Sequence, residues 1–214
     1  MKKIFACLLL GALSQSALAL DAADQQRLNS IQQGWARIQY ETPENQRAAA
    51  FEQLAAQASN FTTERPAVAE AWIWKGIVTS SWAGAQGGLG ALGKAKDAKA
   101  DLEKSLTLDP KALQGSAYTS LAALYDRVPG WPIGFGDSDK AEQLLRQALH
   151  FNPDGIDSLY FWGDHLYRQK RYAEARTALL KALQAAPRPG RESADAGRRK
   201  EIATLLVDVN KKLD

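Results

Sequence analysis

A glycine-rich stretch carries the residue types that bind phosphate groups. Gly88, Gly90 and Gly93 have the G-x-G-x-x-G spacing of a dinucleotide site, and with Lys94 they also match the G-x-x-x-x-G-K frame of a phosphate loop. Both motifs need a preceding β-strand, but the residues before Gly88 follow a helical pattern, and Ala95 replaces the Ser or Thr that would hold magnesium. We therefore expect a glycine-rich loop that lets backbone approach a neighbour, and leave open an anion contact at the helix start near Gly93.

Residues that could act as nucleophiles, general bases or metal ligands are scarce. The two histidines, His150 and His165, are 15 residues apart in different helical segments, and His165 directly follows Asp164, so these two side chains cannot share a helix face. No H-E-x-x-H or G-x-S-x-G motif and no His/Asp/Glu group with metal-ligand spacing occurs in the sequence. The sequence predicts no catalytic residue, no cofactor and no metal site, and a non-enzymatic protein.

The first nineteen residues have the pattern of a secretory signal peptide. Lys2 and Lys3 precede roughly ten apolar residues, and small residues follow up to Ala19. Cys7, the only cysteine, lies near the start of the apolar run, whereas a lipidated cysteine would follow it. We expect residues 1–19 to be removed near Ala19, leaving 20–214 as a single cysteine-free domain in the periplasm or outside the cell, with no membrane span.

Charge and composition exclude some classes of partner. The 214 residues are 45% hydrophobic and 24% charged, as in globular proteins. Lys and Arg number 27 against 24 Asp and Glu, and removal of Lys2 and Lys3 lowers the positive excess from three to one. A nearly neutral chain lacks the basic surface that nucleic-acid binding requires, so we expect no nucleic-acid partner.

Small and apolar residues recur at fixed offsets in three segments of the chain. Each set has four positions, ends in proline and fits the second helix of a helical hairpin. The sets are Ala98, Leu102, Ser105 and Pro110; Ala141, Leu145, Ala148 and Pro153; and Ala175, Leu179, Ala182 and Pro187. Small residues such as Gly163 and Ala175 would let two antiparallel helices approach closely, and Leu166 and Leu179 would fill the space between them.

This pattern resembles the tetratricopeptide repeat, most clearly in residues 154–187. The resemblance implies an all-α, right-handed α-solenoid of about four helical hairpins and a C-terminal capping helix. The expected units are about 24–66, 67–110, 111–153 and 154–187, with the capping helix at about 193–213. The segments AGAQGGLGAL and PGWPIGFGD resemble those of exported bacterial tetratricopeptide proteins of unassigned role, and helper proteins of periplasmic solute transporters are a more distant likeness.

Two insertions lengthen the turns of the second and third hairpins. The first lies around Trp82, Gly87 and Gly88, and the second spans 128–137. The second contains three large apolar residues, which is unusual for a loop: Trp131, Ile133 and Phe135. These residues either pack on the solenoid or contact a partner or ligand, and the two roles are compatible.

The resemblance also implies that partners bind on the concave face formed by the first helix of each hairpin. The residues expected there form a mixed acidic and aromatic surface: Asp126, Asp157, Tyr160, Asp164 and Tyr167. This surface has no ring of Lys and Arg, so we do not expect capture of a C-terminal carboxylate. The four arginines from Arg188 to Arg199 are interpreted as a solvated surface, with a local basic patch as the alternative.

These observations favour a periplasmic interaction module or scaffold that binds a protein or peptide in its groove and at the inserted loops. The alternative is a small-ligand-binding protein or transport helper with an apolar pocket under the two loops. The sequence does not identify the partner, the pathway or the oligomeric state.

Overall fold

The computed structural model describes residues 20–214 of the chain. The expected signal peptide, residues 1–19, lies outside the described residues. Within them the structure is helical, apart from one isolated backbone bridge between Gly130 and Gly136.

Eight of the helices pair as four antiparallel hairpins, and a ninth follows them. The first helices of the hairpins are α1 (Ala22–Tyr40), α3 (Ala69–Gln86), α5 (Ser116–Arg127) and α7 (Ile156–Arg168). The second helices are α2 (Glu44–Glu64), α4 (Gly88–Leu108), α6 (Ser138–Phe151) and α8 (Tyr172–Leu183), and the capping helix is α9 (Glu192–Asn210). A short 3₁₀ turn, Ala112–Gly115, precedes α5. The expected all-α solenoid with a capping helix is confirmed.

Small residues allow the two helices of a hairpin to approach each other, as the repeat pattern predicts. A Cβ atom added to Gly163 in α7 would lie 2.7 Å from Leu179 of α8, and one added to Gly76 in α3 would lie 2.6 Å from Leu102 of α4. Leu102 and Leu179 are fully buried. The repeated glycine and leucine positions therefore fix the spacing of the hairpins, because a side chain in place of either glycine would overlap the leucine opposite.

The prediction of a glycine-rich loop in the second hairpin is wrong. Helix α3 continues to Gln86 and α4 begins at Gly88, so the inserted residues extend both helices. Gly87 connects them, and Gly87 and Gly88 both have positive φ angles, +60° and +64°, which glycine adopts without the strain that a side chain would cause. The insertion is thus a longer hairpin, and no flexible phosphate-binding loop is formed.

The insertion of the third hairpin, residues 128–137, does form a loop. Its ends are held by hydrogen bonds from the Gly136 amide to the Pro129 carbonyl (2.9 Å) and from the Asp137 amide to the Tyr125 carbonyl (3.0 Å). The Trp131–Pro132 peptide bond is cis. The Asp137 side chain accepts a hydrogen bond from the Lys140 amide and thereby caps the start of α6.

The capping helix α9 packs against α8, α7 and also α1, so the first and last parts of the solenoid meet. The Ser193 hydroxyl donates a hydrogen bond to the Glu41 carboxylate (2.5 Å), just beyond the end of α1. On the α8 side, Arg199 donates to the carbonyls of Leu183 and Ala185. The helices of residues 20–214 therefore surround a central space.

Hydrophobicity within residues 20–214 is distributed among short amphipathic helices. None of the described helices combines the length and the apolar character needed to cross a bilayer.

Candidate functional site

A cavity of about 970 Å³ lies on the concave side of the solenoid. Its volume is near the upper end of the range of ligand pockets, about 300–1,000 Å³. Each first helix and the capping helix contribute to its wall. Representative lining residues are Gln32 and Trp35 of α1, Trp74 and Ile77 of α3, Thr119 and Ala123 of α5, Asp157 and Tyr160 of α7, and Ala194 and Arg198 of α9.

Both insertions border this cavity. Leu92 of the extended helix α4 and Pro129 and Ile133 of the second insertion contribute to its wall. Ile133 is nevertheless 68% exposed, and Trp131, which does not line the cavity, is 89% exposed. Phe135 instead packs edge-on against Tyr125, with 5.4 Å between ring centroids. One aromatic residue of the loop therefore packs on the solenoid and another projects into solvent.

Two tryptophans belong to the aromatic part of the wall, which also includes Tyr40, Phe51, Tyr160 and Phe161. The rings of Trp35 and Trp74 meet edge to face, with centroids 6.0 Å apart. The Trp35 indole Nε1 donates a hydrogen bond to the Ser81 hydroxyl (2.8 Å). Trp74 is only 4% exposed, and its Nε1 has no hydrogen-bond partner among the described residues. A buried donor without a hydrogen-bond acceptor costs free energy, so an acceptor is missing next to Trp74 Nε1 in the cavity wall.

Arginines from the C-terminal region form a neighbouring part of the wall. Asp157 of α7 accepts hydrogen bonds from Arg188 Nη1 (2.7 Å) and Arg198 Nε (2.8 Å). Burial acts to raise the pKa of Asp157, but the positive charges of Arg198 and Arg188 outweigh burial and hold this pKa well below its usual range. The interpretation of this arginine-rich segment as a solvated surface is wrong for Arg198, which is buried, and for the half-buried Arg188. The arginines tie the segment to the concave face.

Arg191 lies beside these pairs but takes part in none of them. Its guanidinium carbon is 5.0 Å from the centroid of the Trp74 ring. Its Nε is buried and has no hydrogen-bond partner among the described residues. Arg191 lines the cavity together with Arg188 and Arg198. Sequence reasoning noted Arg191 only as one of four arginines and did not include it among the site residues; the density of arginine between positions 188 and 199 was the available signal.

The expected acidic groove is not free for a partner, because its three carboxylates bond to side chains of the chain itself. Asp157 binds Arg188 and Arg198 as described above. Asp164 is buried and accepts from Arg127 Nη2 (2.9 Å). Both Asp126 carboxylate oxygens lie 3.0 Å from His165 Nδ1. The expected acidic surface is therefore wrong, because these three carboxylates already have Arg or His partners within the chain.

The remaining predicted site residues are divided between the cavity and other surfaces. Tyr160 lines the cavity and is nearly buried, with the Arg198 guanidinium 4.4 Å from its ring centroid. Gly88 also lines the cavity. Trp82 and Tyr167 do not: the Lys94 ammonium lies 4.1 Å from the Trp82 ring centroid, and the Tyr167 ring contacts that of Tyr172. Gly87 and Phe135 also lie outside the cavity lining. A second cavity, of about 630 Å³, shares Tyr40, Arg47 and Tyr160 with the first and adds Asp164.

His165 is the centre of a buried polar cluster that sequence reasoning also missed. Besides Asp126, it contacts Glu142 through Nε2 (3.4 Å), and its ring stacks on that of Trp162. Burial acts to lower the pKa of His165, but the hydrogen bonds and charges of Asp126 and Glu142 outweigh burial and raise it. His165 is 1% exposed and lines neither cavity. Asp126 and Glu142 belong to the third hairpin and His165 to the fourth, so the cluster joins these two hairpins.

Potential metal ligands do not converge within residues 20–214. No group of three or more His, Cys, Asp or Glu side chains in this part of the chain is arranged to hold a metal ion.

Comparison with family models identifies two segments. Residues 133–195 match one model described as a tetratricopeptide repeat, and residues 89–112 match another with the same description. No curated protein sequence matches the chain.

Solved structures with a similar fold include a thermophilic tetratricopeptide protein of Thermus thermophilus. It has a TM-score of 0.57 and 16% identity, and the alignment covers 86% of this chain and 98% of that one. MamA (residue 41 to the end) of Desulfovibrio magneticus has a TM-score of 0.47 and 15% identity, over 91% and 97%. Tetratricopeptide repeats indicate a protein–protein interaction scaffold. Residues 89–112 and 133–195 therefore match tetratricopeptide-repeat models, and residues 20–214 form an all-helical α-solenoid.

Proposed function

We propose that the protein is a periplasmic, non-catalytic interaction module that binds a segment of a partner protein in its central cavity. The observation that supports this function best is the cavity itself, because five helices of the concave face supply its wall and combine tryptophans with an unpaired arginine. Aromatic and arginine side chains are the types most enriched at protein interaction hot spots.

The loop of residues 128–137 extends the proposed contact surface beyond the cavity. Ile133 borders the cavity, and Trp131, two residues earlier, is almost fully exposed. A large exposed aromatic side chain next to a binding cavity can bury additional apolar area against a protein partner. We therefore include Trp131 and Ile133 in the proposed contact surface.

The export of the protein rests on the signal-peptide pattern of residues 1–19. Cell fractionation and N-terminal sequencing of the mature chain test it. We expect periplasmic protein beginning at Leu20, and a cytoplasmic chain that keeps Lys2 and Lys3 would contradict export.

Photo-cross-linking in cells tests the position of the binding site. A photoreactive amino acid replaces either Ala123, which lines the cavity, or Ala100, which is exposed on α4. We expect a discrete protein to be cross-linked from position 123 but not from position 100. In a second experiment the photoreactive residue replaces Ser120, another lining position, and we expect Ala123→Trp to abolish its cross-link to the same protein. Cross-links from position 100 alone would contradict the proposed site.

A second candidate function is the binding of a small molecule. It is favoured by the contact of α9 with α1, which encloses the cavity on one side, and by a volume within the range of ligand pockets. Native mass spectrometry of the protein purified under mild conditions distinguishes the two functions. A bound small molecule that is lost in Ala123→Trp would favour this second function.

A further inference from the structure

Arg191 is an unpaired cation in a wall where the neighbouring arginines are paired. Arg188 bonds to Asp157 and Asp195, and Arg198 bonds to Asp157 and Glu201. The buried Nε of Arg191 has no hydrogen-bond partner between residues 20 and 214, and its guanidinium forms no ion pair there. Its N–H donors therefore remain available on the cavity wall.

The carboxylates near Arg191 do not pair with it, because they are hydrogen-bonded to other arginines. Asp157 and Asp195 are close enough to act on Arg191 through their charge, but both are hydrogen-bonded to Arg188. Across the whole cavity lining, arginine side chains outnumber carboxylates by five to three. The lining includes Arg47, Arg127, Arg188, Arg191, Arg198, Glu44, Asp157 and Glu201. Arg127, Arg188 and Arg198 form ion pairs, partly with Asp164 and Asp195 outside the lining. Between residues 20 and 214 this leaves Arg47, Arg191 and Glu44 of the lining without an ion pair, an excess of one positive charge.

The surroundings of Arg191 make an added anion favourable. Burial, followed by the positive charge of Arg188, lowers the pKa of Arg191, so the site disfavours an uncompensated guanidinium. Trp74 adds a second unpaired buried donor in the ring that lies 5.0 Å from the same guanidinium. Both observations indicate a missing acceptor at one place in the cavity wall.

We propose that Arg191 binds a carboxylate of an acidic peptide segment, and that an apolar residue next to this carboxylate packs on the wall formed by Trp35, Trp74 and Tyr160. A guanidinium holds a carboxylate through two parallel hydrogen bonds. The charge of Arg191 matches a carboxylate. A phosphate carries about −1.5 to −2 and would need a second free cation beside Arg191, where Arg188 and Arg198 are already paired with carboxylates. This inference rests on the proposed function, because it takes the cavity as the site of a peptide.

The acidic segment supplies this carboxylate from an Asp or Glu side chain, and the experiment distinguishes this source from a peptide C-terminus. A random peptide library displayed without free C-termini is selected against the purified chain, and a second library displays free C-termini. Enriched peptides are then synthesised with free and amidated C-termini, and with Gln or Asn in place of Glu or Asp. Their affinities are measured by calorimetry for the native chain and its variants.

Arg191→Met is the main variant, and Arg176→Met is the matched control, because Arg176 is exposed on α8 and lies outside the cavity lining. We expect enriched peptides to combine an acidic group with a neighbouring apolar residue. Arg191→Met, or removal of the acidic group, should weaken binding about 10-fold to 100-fold, as for the loss of a hydrogen-bonded charge. Both changes together should weaken binding no further, and Arg176→Met should bind like the native chain.

The other outcomes separate the inference from the function on which it rests. Peptides that lose binding in Ala123→Trp but show no acidic preference and no effect of Arg191→Met would overturn the role of Arg191 and leave the cavity as a peptide site. Failure to enrich any peptide, or binding unaffected by Ala123→Trp, would overturn both. If Arg191→Met does not fold, Arg191→Lys provides the test: it keeps the charge, loses the two-pronged geometry and should bind less tightly than the native chain.

Discussion

Tyr40, the last residue of α1, packs directly against Gly197 of α9. A Cβ atom added to Gly197 would overlap three atoms of the Tyr40 ring. The contact joins the first and last helices of the chain, which are more than 150 residues apart in sequence. The absence of a side chain at Gly197 is therefore what allows α9 to approach α1 at this point.

Replacing Gly197 tests whether this contact closes the solenoid. Gly197→Val should force Tyr40 and α9 apart, lower the free energy of unfolding by about 1–3 kcal/mol, as for overpacked cores, and increase the radius of gyration in small-angle scattering. Gly84→Ala is the control, because an added Cβ meets no atom within 4 Å there. A Gly197→Val variant as stable and compact as the native chain would show that the contact does not hold α9 in place.

Arg198 is expected to contribute more to stability than an exposed arginine. Arg198→Met removes a buried partner of Asp157 and Glu201, and loss of one member of a buried ion pair costs about 3 kcal/mol. Urea denaturation measures this change, with exposed Arg176→Met expected within about 0.5 kcal/mol of the native chain. A double-mutant cycle with Asp157→Asn should show coupling, and additive effects would mean that the pair contributes nothing to the attachment of α9.

Trp131 and Phe135 lie in the same loop but should differ in their effect on stability. Trp131→Ala removes an 89% exposed side chain and should change the free energy of unfolding by less than about 0.5 kcal/mol. Phe135→Ala removes the edge-on contact with Tyr125 and should cost about 1–2 kcal/mol. Thermal unfolding compares the variants. A larger loss from Trp131→Ala would mean that its side chain packs on the protein rather than remaining available for a partner.

The repeat architecture was readable from the sequence because each hairpin contacts its neighbours through locally encoded positions. Gly163 and Leu179, or Gly76 and Leu102, meet within one hairpin, so their spacing predicts their packing. The first insertion was misread because glycine-rich composition usually indicates a loop. Here the positive φ angles of Gly87 and Gly88 make the turn, while α3 extends to Gln86 and α4 begins at Gly88.

The candidate site was less predictable because it depends on contacts between distant parts of the chain. No local pattern indicates that Arg188 and Arg198 both bind Asp157, which leaves Arg191 without a carboxylate. The sequence placed Asp157 and Tyr160 on the concave face, where they line the cavity. It could not show that the curvature of the solenoid brings α9 against α1 and closes one side of the groove.

The raised pKa of His165 predicts a specific dependence of stability on pH. Because the folded chain binds this proton more tightly than the unfolded chain, protonated His165 stabilises the fold. The contribution is fully present below the unfolded pKa of about 6.5 and is lost as pH rises through the raised folded pKa. The free energy of unfolding of the native chain should therefore exceed that of His165→Gln by an amount that shrinks as pH increases from about 5 to 9.

Chemical denaturation at a series of pH values measures this difference, and Asp126→Asn is the second variant. This substitution keeps the shape of the side chain but removes the negative charge that raises the pKa of His165. We expect the stability of Asp126→Asn to fall less steeply with rising pH than that of the native chain. A difference between the native chain and His165→Gln that stays constant, or grows with pH, would mean that His165 is neutral in the folded protein and that its contact with Asp126 is an ordinary hydrogen bond.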